Sequence, residues 1–154
     1  MMRTPSFWYS RPGFLAWVLS PLGRLYSSAT AKRLNKTVNV IRAQCPVICI
    51  GNVNAGGTGK TPTIIAMVEH LQKLGRMAVV ISRGYGGNLK VPTLVNPLLH
   101  SSDQVGDEPL LIADFCQIIV TNNRMAGIEL ASKIQPDVIL MDDGFQDPAV
   151  YKDF

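Results

Sequence analysis

A glycine-rich stretch that leads into a lysine and a threonine is the part of this 154-residue sequence that points most directly to chemistry. It reads NVNAGGTGKTP and runs from residue 52 to residue 62. Glycines let backbone N–H groups turn toward phosphate oxygens, the lysine can reach the β- and γ-phosphates of a nucleotide, and the threonine hydroxyl can bind Mg²⁺. The candidate nucleotide-binding residues are Gly56, Gly57, Thr58, Gly59, Lys60 and Thr61.

This stretch departs from the strict P-loop pattern G-x-x-x-x-G-K-[ST] at its first position, where the chain has Asn54. A structural glycine turn is the alternative interpretation. That alternative does not account for the adjacent Lys60 and Thr61, whereas a phosphate site needs both residue types.

A pair of carboxylates follows an apolar run later in the chain, in the sequence VILMDDG. In a parallel sheet the carboxyl ends of the strands face the ligand crevice, so Asp142 and Asp143 are expected there. A carboxylate at that place can bind Mg²⁺ directly or through water, although the pair could instead cap a turn before Gly144. Together the two motifs predict ATP and Mg²⁺ as cofactors.

Short continuous apolar runs and apolar residues at helical spacing predict the strands and helices that position these motifs. Strands are predicted at 46–51, 77–82, 117–121 and 137–143, and helices at 60–74, 108–115 and 125–134. Strands that alternate with helices indicate an α/β fold, a parallel sheet of P-loop NTPase type with helices on both faces. The region from 84 to 107 is predicted to be a long loop, which in compact domains is usually functional or mobile.

The front of the chain is basic and rich in aromatic residues. The first 68 residues contain eight Lys or Arg and no acid, whereas the rest contains seven basic and eleven acidic residues. The apolar run FLAWVLSPL at 14–22 is shorter than the roughly 20 residues that a membrane span needs. We predict an amphipathic helix lying in a membrane interface, within a membrane-associating segment 1–36 that precedes a P-loop core at 37–154. A secretory signal and an ordinary core helix are the alternatives.

The three cysteines, Cys45, Cys49 and Cys116, form no C-x-x-C pair. Their odd number and spacing argue against a disulfide framework or a zinc site and favour a reducing compartment.

Four short motifs occur in a fixed order: GNVNAGGTGKTP, SRGYGG, VGDEP and DDGFQ. In this order they resemble the tetraacyldisaccharide 4′-kinase family of lipid A biosynthesis, and the resemblance covers about the first half of a family member. It implies transfer of the ATP γ-phosphoryl group to the 4′-hydroxyl of a lipid-linked disaccharide 1-phosphate. It also implies a peripheral or monotopic position on the cytoplasmic face of the bacterial inner membrane, without a nucleic-acid partner. Nothing in the sequence indicates an oligomeric state.

The resemblance also implies roles for individual residues. The catalytic set would be Asp107, as candidate base, with Lys60 and Asp142; the metal set would be Thr61, Glu108, Asp142 and Gln146; and the substrate set would be Arg83, Tyr85 and Arg124. A purely structural interpretation of the adjacent acids at 107 and 108 is that they pair with a helix dipole.

The chain departs from the family pattern after DDGFQ, where the family continues with histidine and basic residues but this chain has Asp147, Pro148 and Ala149. Two rival interpretations remain open. A membrane-associated ATPase switch of the ParA/MinD type would carry a lysine before the paired glycines, where this chain has Ala55. A non-catalytic remnant that binds nucleotide is the other.

We predict that this 154-residue chain by itself has little or no 4′-kinase activity. The resemblance implies that the chain lacks about half of the residues that enclose the large lipid acceptor. Misplacement of reacting groups by about 1 Å can cost on the order of 10²-fold in rate. The measurement is an assay with lipid acceptor and radiolabelled ATP beside a full-length relative. Turnover within about tenfold, a barrier difference of about 1.4 kcal/mol, would contradict the prediction.

Overall fold

The structure is a computed structural model that describes residues 13–34, 40–51, 59–145 and 147–154. Every helix and strand that the sequence predicted from residue 46 onward is confirmed, with ends that differ by at most two residues. The elements are α1 (Phe14–Leu34), β1 (Val47–Ile50), α2 (Lys60–Lys73), β2 (Ala78–Ser82), β3 (Thr93–Leu94), α3 (Ser102–Val105), α4 (Asp107–Ala113), β4 (Gln117–Val120), α5 (Arg124–Ile134) and β5 (Val138–Asp142).

The strands form one sheet in the order β1-β5-β2-β4-β3. Strands β1, β5, β2 and β4 run parallel, as predicted, so their carboxyl ends lie at the same edge of the sheet. Strand β3 is antiparallel to β4, and α3 follows it, so the predicted long loop at 84–107 was wrong in part. A two-residue strand and a four-residue helix are too short to produce a periodic pattern in the sequence.

The core lies on both faces of the sheet because neighbouring residues of each strand point to opposite sides. On one face, Val80 and Leu140 pack with α2 and α4. On the other face, Ile81 and Met141 pack with α5. The near-continuous apolar runs of the strands follow from this burial on two faces.

Helix α1 carries the apolar residues of the predicted membrane segment. The side chains of Phe14, Trp17 and Leu25 are each more than two-thirds exposed. The helix contains Pro21, which breaks the apolar pattern and removes one backbone donor. Helical structure is therefore found here, whereas an amphipathic helix at a membrane is not confirmed and stays a prediction. Within the described residues, no helix combines the length and the apolar character that crossing a bilayer requires.

The last residues of the chain run along the outer edge of β1. The backbone N–H of Cys49 donates to the carbonyl of Phe154 at 2.8 Å, and the N–H of Val47 donates to the Asp153 carboxylate at 2.9 Å. Arg42 pairs with that same carboxylate and lies over the Tyr151 ring. These contacts pair part of the backbone of an edge strand that would otherwise have unpaired polar groups.

A buried arginine joins two central strands at their carboxyl ends. Arg124 is 2% exposed, and its Nη1 and Nη2 atoms donate to the carbonyls of Ile81 at 2.8 Å and Asp142 at 2.6 Å. Its Nε atom has no hydrogen-bond partner among the described residues. Burial lowers the pKa of Arg124, and the nearby charge of Arg83 adds to that effect.

We expect Arg124→Met to lower the free energy of unfolding by about 1–3 kcal/mol, because it leaves buried carbonyl acceptors without a donor. Urea unfolding measures the change. Lys133→Met is the matched control, since it removes an exposed cation from the last turn of the same helix. The control should cost less than about 1 kcal/mol. A variant Arg124→Met as stable as the unsubstituted chain would mean that the guanidinium's desolvation cancels its hydrogen bonds.

Candidate active site

The lysine of the glycine-rich motif begins helix α2 directly after a left-handed glycine. Gly59 has φ 78°, and its carbonyl accepts from the backbone N–H of Thr63 at 3.1 Å and from the Thr63 hydroxyl at 2.8 Å. The first turn contains no acidic residue, so the positive end of the helix dipole is available to an anion. The predicted residues Gly56, Gly57 and Thr58 lie outside the described residues.

The structure brings together the basic and acidic motifs that the sequence identified separately. The Lys60 Nζ atom lies 2.9 Å from the Asp143 Oδ2 atom. Asp143 follows β5 in a left-handed conformation with φ 53°, and its backbone N–H donates to the carbonyl of Ile50 at 2.9 Å. Its carboxylate side chain is 57% exposed. An ion pair this exposed stabilises by only about 0.2–1 kcal/mol, so a bound phosphate can displace Asp143 from Lys60.

Asp142 lies one residue earlier, at the carboxyl end of β5, and is 7% exposed. Its Oδ2 atom accepts a hydrogen bond from the Ser82 hydroxyl at 2.8 Å, and its carbonyl accepts from Arg124. The family resemblance implied that Arg124 contacts the substrate. Its guanidinium lies under the strand ends, and with Arg124 only 2% exposed the structure does not present this charge at the protein surface.

Two glycines let the SRGYGG and VGDEP segments pack directly against each other. A Cβ atom on Gly84 would lie 2.6 Å from the carbonyl oxygen of Val105, and a Cβ atom on Gly106 would lie 2.7 Å from that of Tyr85. Both glycines also have positive φ angles, 62° and 91°. Only glycine therefore permits the two backbones to approach this closely. The contact sets the position of Asp107, the residue that follows Gly106.

Four of the remaining predicted residues lie on exposed segments next to this contact between the two glycine segments. Asp107 and Glu108 are exposed in the first turn of α4, where they are also favourable to the helix dipole. Arg83 is exposed and Tyr85 is 97% exposed. Gln146 lies outside the described residues.

The oxygen donors fit a magnesium ion that arrives with a nucleotide. The described residues contain no cluster of three or more His, Cys, Asp or Glu side chains that could hold a metal. Mg²⁺ usually takes one or two protein carboxylates and completes its shell with phosphate oxygens and water. One oxygen of the Asp142 carboxylate accepts a hydrogen bond from Ser82, and Thr61 lies in the first turn of α2. A carboxylate and a hydroxyl are both suitable ligands for Mg²⁺.

Sequence reasoning missed Ser82 and the pairing of Lys60 with Asp143. A signal for Ser82 was present, since it is a polar residue at the end of an apolar strand. Parallel strands end at one edge, so such a residue belongs with Asp142. The sequence offered no signal for the ion pair, because it depends on which strand lies next to β1.

Comparisons with known proteins identify the family of this chain. The sequence profile of the family described as tetraacyldisaccharide-1-P 4′-kinase (LpxK) matches residues 15–154. A tetraacyldisaccharide 4′-kinase of Dinoroseobacter shibae is 49% identical over 99% of this chain and 46% of its own length. One of Bradyrhizobium sp. strain ORS 278 is 46% identical over 99% of this chain and 45% of its own length.

A solved structure is similar as well. A crystal structure of the "apo" form of LpxK from Aquifex aeolicus in complex with ATP has a TM-score of 0.78 and 29% sequence identity. The match covers 92% of this chain and 48% of that one. The chain thus spans about half the length of the relatives it matches. With the family profile matching nearly the whole sequence, this chain belongs to the tetraacyldisaccharide 4′-kinase family.

Proposed function

We propose that this chain binds Mg·ATP and serves the transfer of the γ-phosphoryl group to the 4′-hydroxyl of a tetraacyldisaccharide 1-phosphate in lipid A biosynthesis. The observation that carries the proposal is the meeting of Lys60, at the start of α2, with the acidic end of β5. A cation and a helix N-terminus that face carboxylates suit a phosphate chain with its metal ion. The relatives' names and the ATP in the Aquifex aeolicus structure support the same conclusion.

The chain's own residues would divide the work between binding and positioning. Lys60 would leave Asp143 and neutralise charge on the β- and γ-phosphates. Thr61 and Asp142 would hold Mg²⁺, with Glu108 and Gln146 near it, and the bound ion would offset the charge that develops on the transferring group. Arg83 and Tyr85 would contact the lipid acceptor. As the bond from the 4′-oxygen to the γ-phosphorus forms and the bridge to the β-phosphate breaks, Asp107 would orient the hydroxyl and accept its proton late.

The acceptor's acyl chains place the reaction at a membrane surface, and α1 is suited to that surface. Its exposed Phe14, Trp17 and Leu25 offer apolar area, and Arg24 offers a cation to anionic headgroups. We propose that α1 lies in the interface of the inner membrane on its cytoplasmic side. The helix would then keep the nucleotide site close to a substrate that does not leave the bilayer.

Titration of ATP tests the nucleotide site. We expect Lys60→Ala to weaken binding of Mg·ATP at least about tenfold, because hydrogen bonds to charged groups contribute about 1.5–3 kcal/mol. Isothermal calorimetry on the purified chain measures the affinity. Lys73→Ala is the matched control, since it removes an exposed cation from the last turn of the same helix and should bind as the unsubstituted chain does. Equal affinity in all three proteins would reject the site.

Vesicle binding tests the membrane proposal. We expect the double substitution of Trp17 and Leu25 by serine to weaken binding to phosphatidylglycerol vesicles about tenfold or more, because each loses apolar area worth up to about 1.5–3 kcal/mol. The same substitutions at Leu98 and Leu99, which are 92% and 75% exposed on a turn, are the control. If only this second pair reduces binding, the membrane contact lies near residue 98 and not on α1.

A further inference from the structure

A hydrogen bond between two buried polar side chains lies at the metal side of the proposed site. The Ser82 hydroxyl is 2.8 Å from the Asp142 Oδ2 atom, and the two residues are 4% and 7% exposed. They meet because β2 and β5 are neighbouring parallel strands in which Ile81 is opposite Met141. The proposed phosphoryl transfer uses Asp142 and leaves Ser82 without a role.

The direction of this hydrogen bond follows from the chemistry of the two groups. The backbone N–H of Gly84 donates to the Ser82 oxygen at 3.4 Å, and an ionised carboxylate can only accept. The hydroxyl proton of Ser82 therefore points at Asp142. One carboxylate oxygen accepts this bond, and no side chain or backbone group of the described residues is found donating to the other, which can therefore take a ligand.

The main chain around this carboxylate is already fixed by Arg124. Its guanidinium donates to the carbonyls of Asp142 and Ile81, which belong to the same two strand ends. The remaining freedom of the Asp142 side chain is rotation about its own bonds. The Ser82 hydroxyl removes that freedom.

We propose that Ser82 is a positioning residue for magnesium: it fixes the rotation of the Asp142 carboxylate so that the free oxygen faces the ion that accompanies ATP. The inference rests on the proposed Mg·ATP site and adds to it a residue that contacts neither ion nor nucleotide. Hydrogen-bond partners of metal ligands commonly contribute 10–100-fold to metal affinity. The competing explanation is that the bond only satisfies two buried polar groups, in which case it contributes to stability alone.

The ratio of ATP affinity with Mg²⁺ to ATP affinity in EDTA separates these explanations. We expect Ser82→Ala to reduce this ratio about tenfold or more while leaving the affinity in EDTA unchanged. Ser82→Thr keeps a hydroxyl and should restore the ratio, and Ser82→Cys fills a similar volume with a weak donor and should not. Ser132→Ala is the matched control, because that hydroxyl donates to the Ile128 carbonyl within α5. Urea unfolding of each variant verifies that it is folded.

Each possible result either supports or overturns the positioning role of Ser82. A ratio in Ser82→Ala equal to that of the unsubstituted chain overturns the inference, and so does an equal fall in both affinities, which a structural role would produce. If Ser82→Ala does not fold, Ser82→Cys decides by the same ratio. An unsubstituted chain that binds ATP without any gain from Mg²⁺ refutes the metal role of Asp142, and the inference with it. Failure of the proposed Mg·ATP site is therefore distinguishable from failure of the inference about Ser82, because it is seen in the unsubstituted chain before any residue is changed.

Discussion

The guanidinium of Arg124 is the contact on which the geometry of the site depends. It lies under the carboxyl ends of β2 and β5 and donates to a carbonyl of each strand. Burying a cation is costly, and here carbonyl dipoles offset that cost, with no carboxylate of the described residues bonded directly to the guanidinium. A lysine could not replace it, because a planar fork reaches two fixed acceptors whereas an ammonium acts as a point charge.

The acidic motif depends on this arrangement. Asp142 is held through its carbonyl by Arg124 and through its carboxylate by Ser82, so both its main chain and its side chain are constrained. Asp143, one residue on, turns outward in a left-handed conformation and pairs with Lys60. Two adjacent carboxylates thus have different surroundings. One is buried and fixed, and the other is exposed and exchangeable.

The exchangeable pair has a consequence for ligand binding. Lys60 is 26% exposed and Asp143 is 57% exposed, so water screens their attraction. At the proposed site, a triphosphate would bring more negative charge than one carboxylate and would also meet the N-terminus of α2. Asp143 would therefore keep the Lys60 side chain ordered near the proposed site, and a nucleotide that took the place of Asp143 would lose little binding free energy by doing so.

Apart from the short elements β3 and α3, the sequence by itself determined the succession of helices and strands, the four parallel strands and the motifs. Those features depend on local composition: apolar runs such as VILMD, a glycine before Lys60, and polar residues where strands end. It also predicted that Lys60 and the acids would lie at one edge, because parallel strands end together.

Only the tertiary structure decided which of these residues touch. The neighbours of β5 are β1 and β2, and that order brings Asp143 to Lys60 and Ser82 to Asp142. It also buried Arg124, for which the family resemblance implied a contact with substrate. A cation in a helical pattern looks alike whether it faces solvent or strand ends. The short strand β3 and the contact of Gly84 with Val105 likewise join segments far apart in the chain. Such pairings depend on long-range packing, for which a local pattern carries no signal.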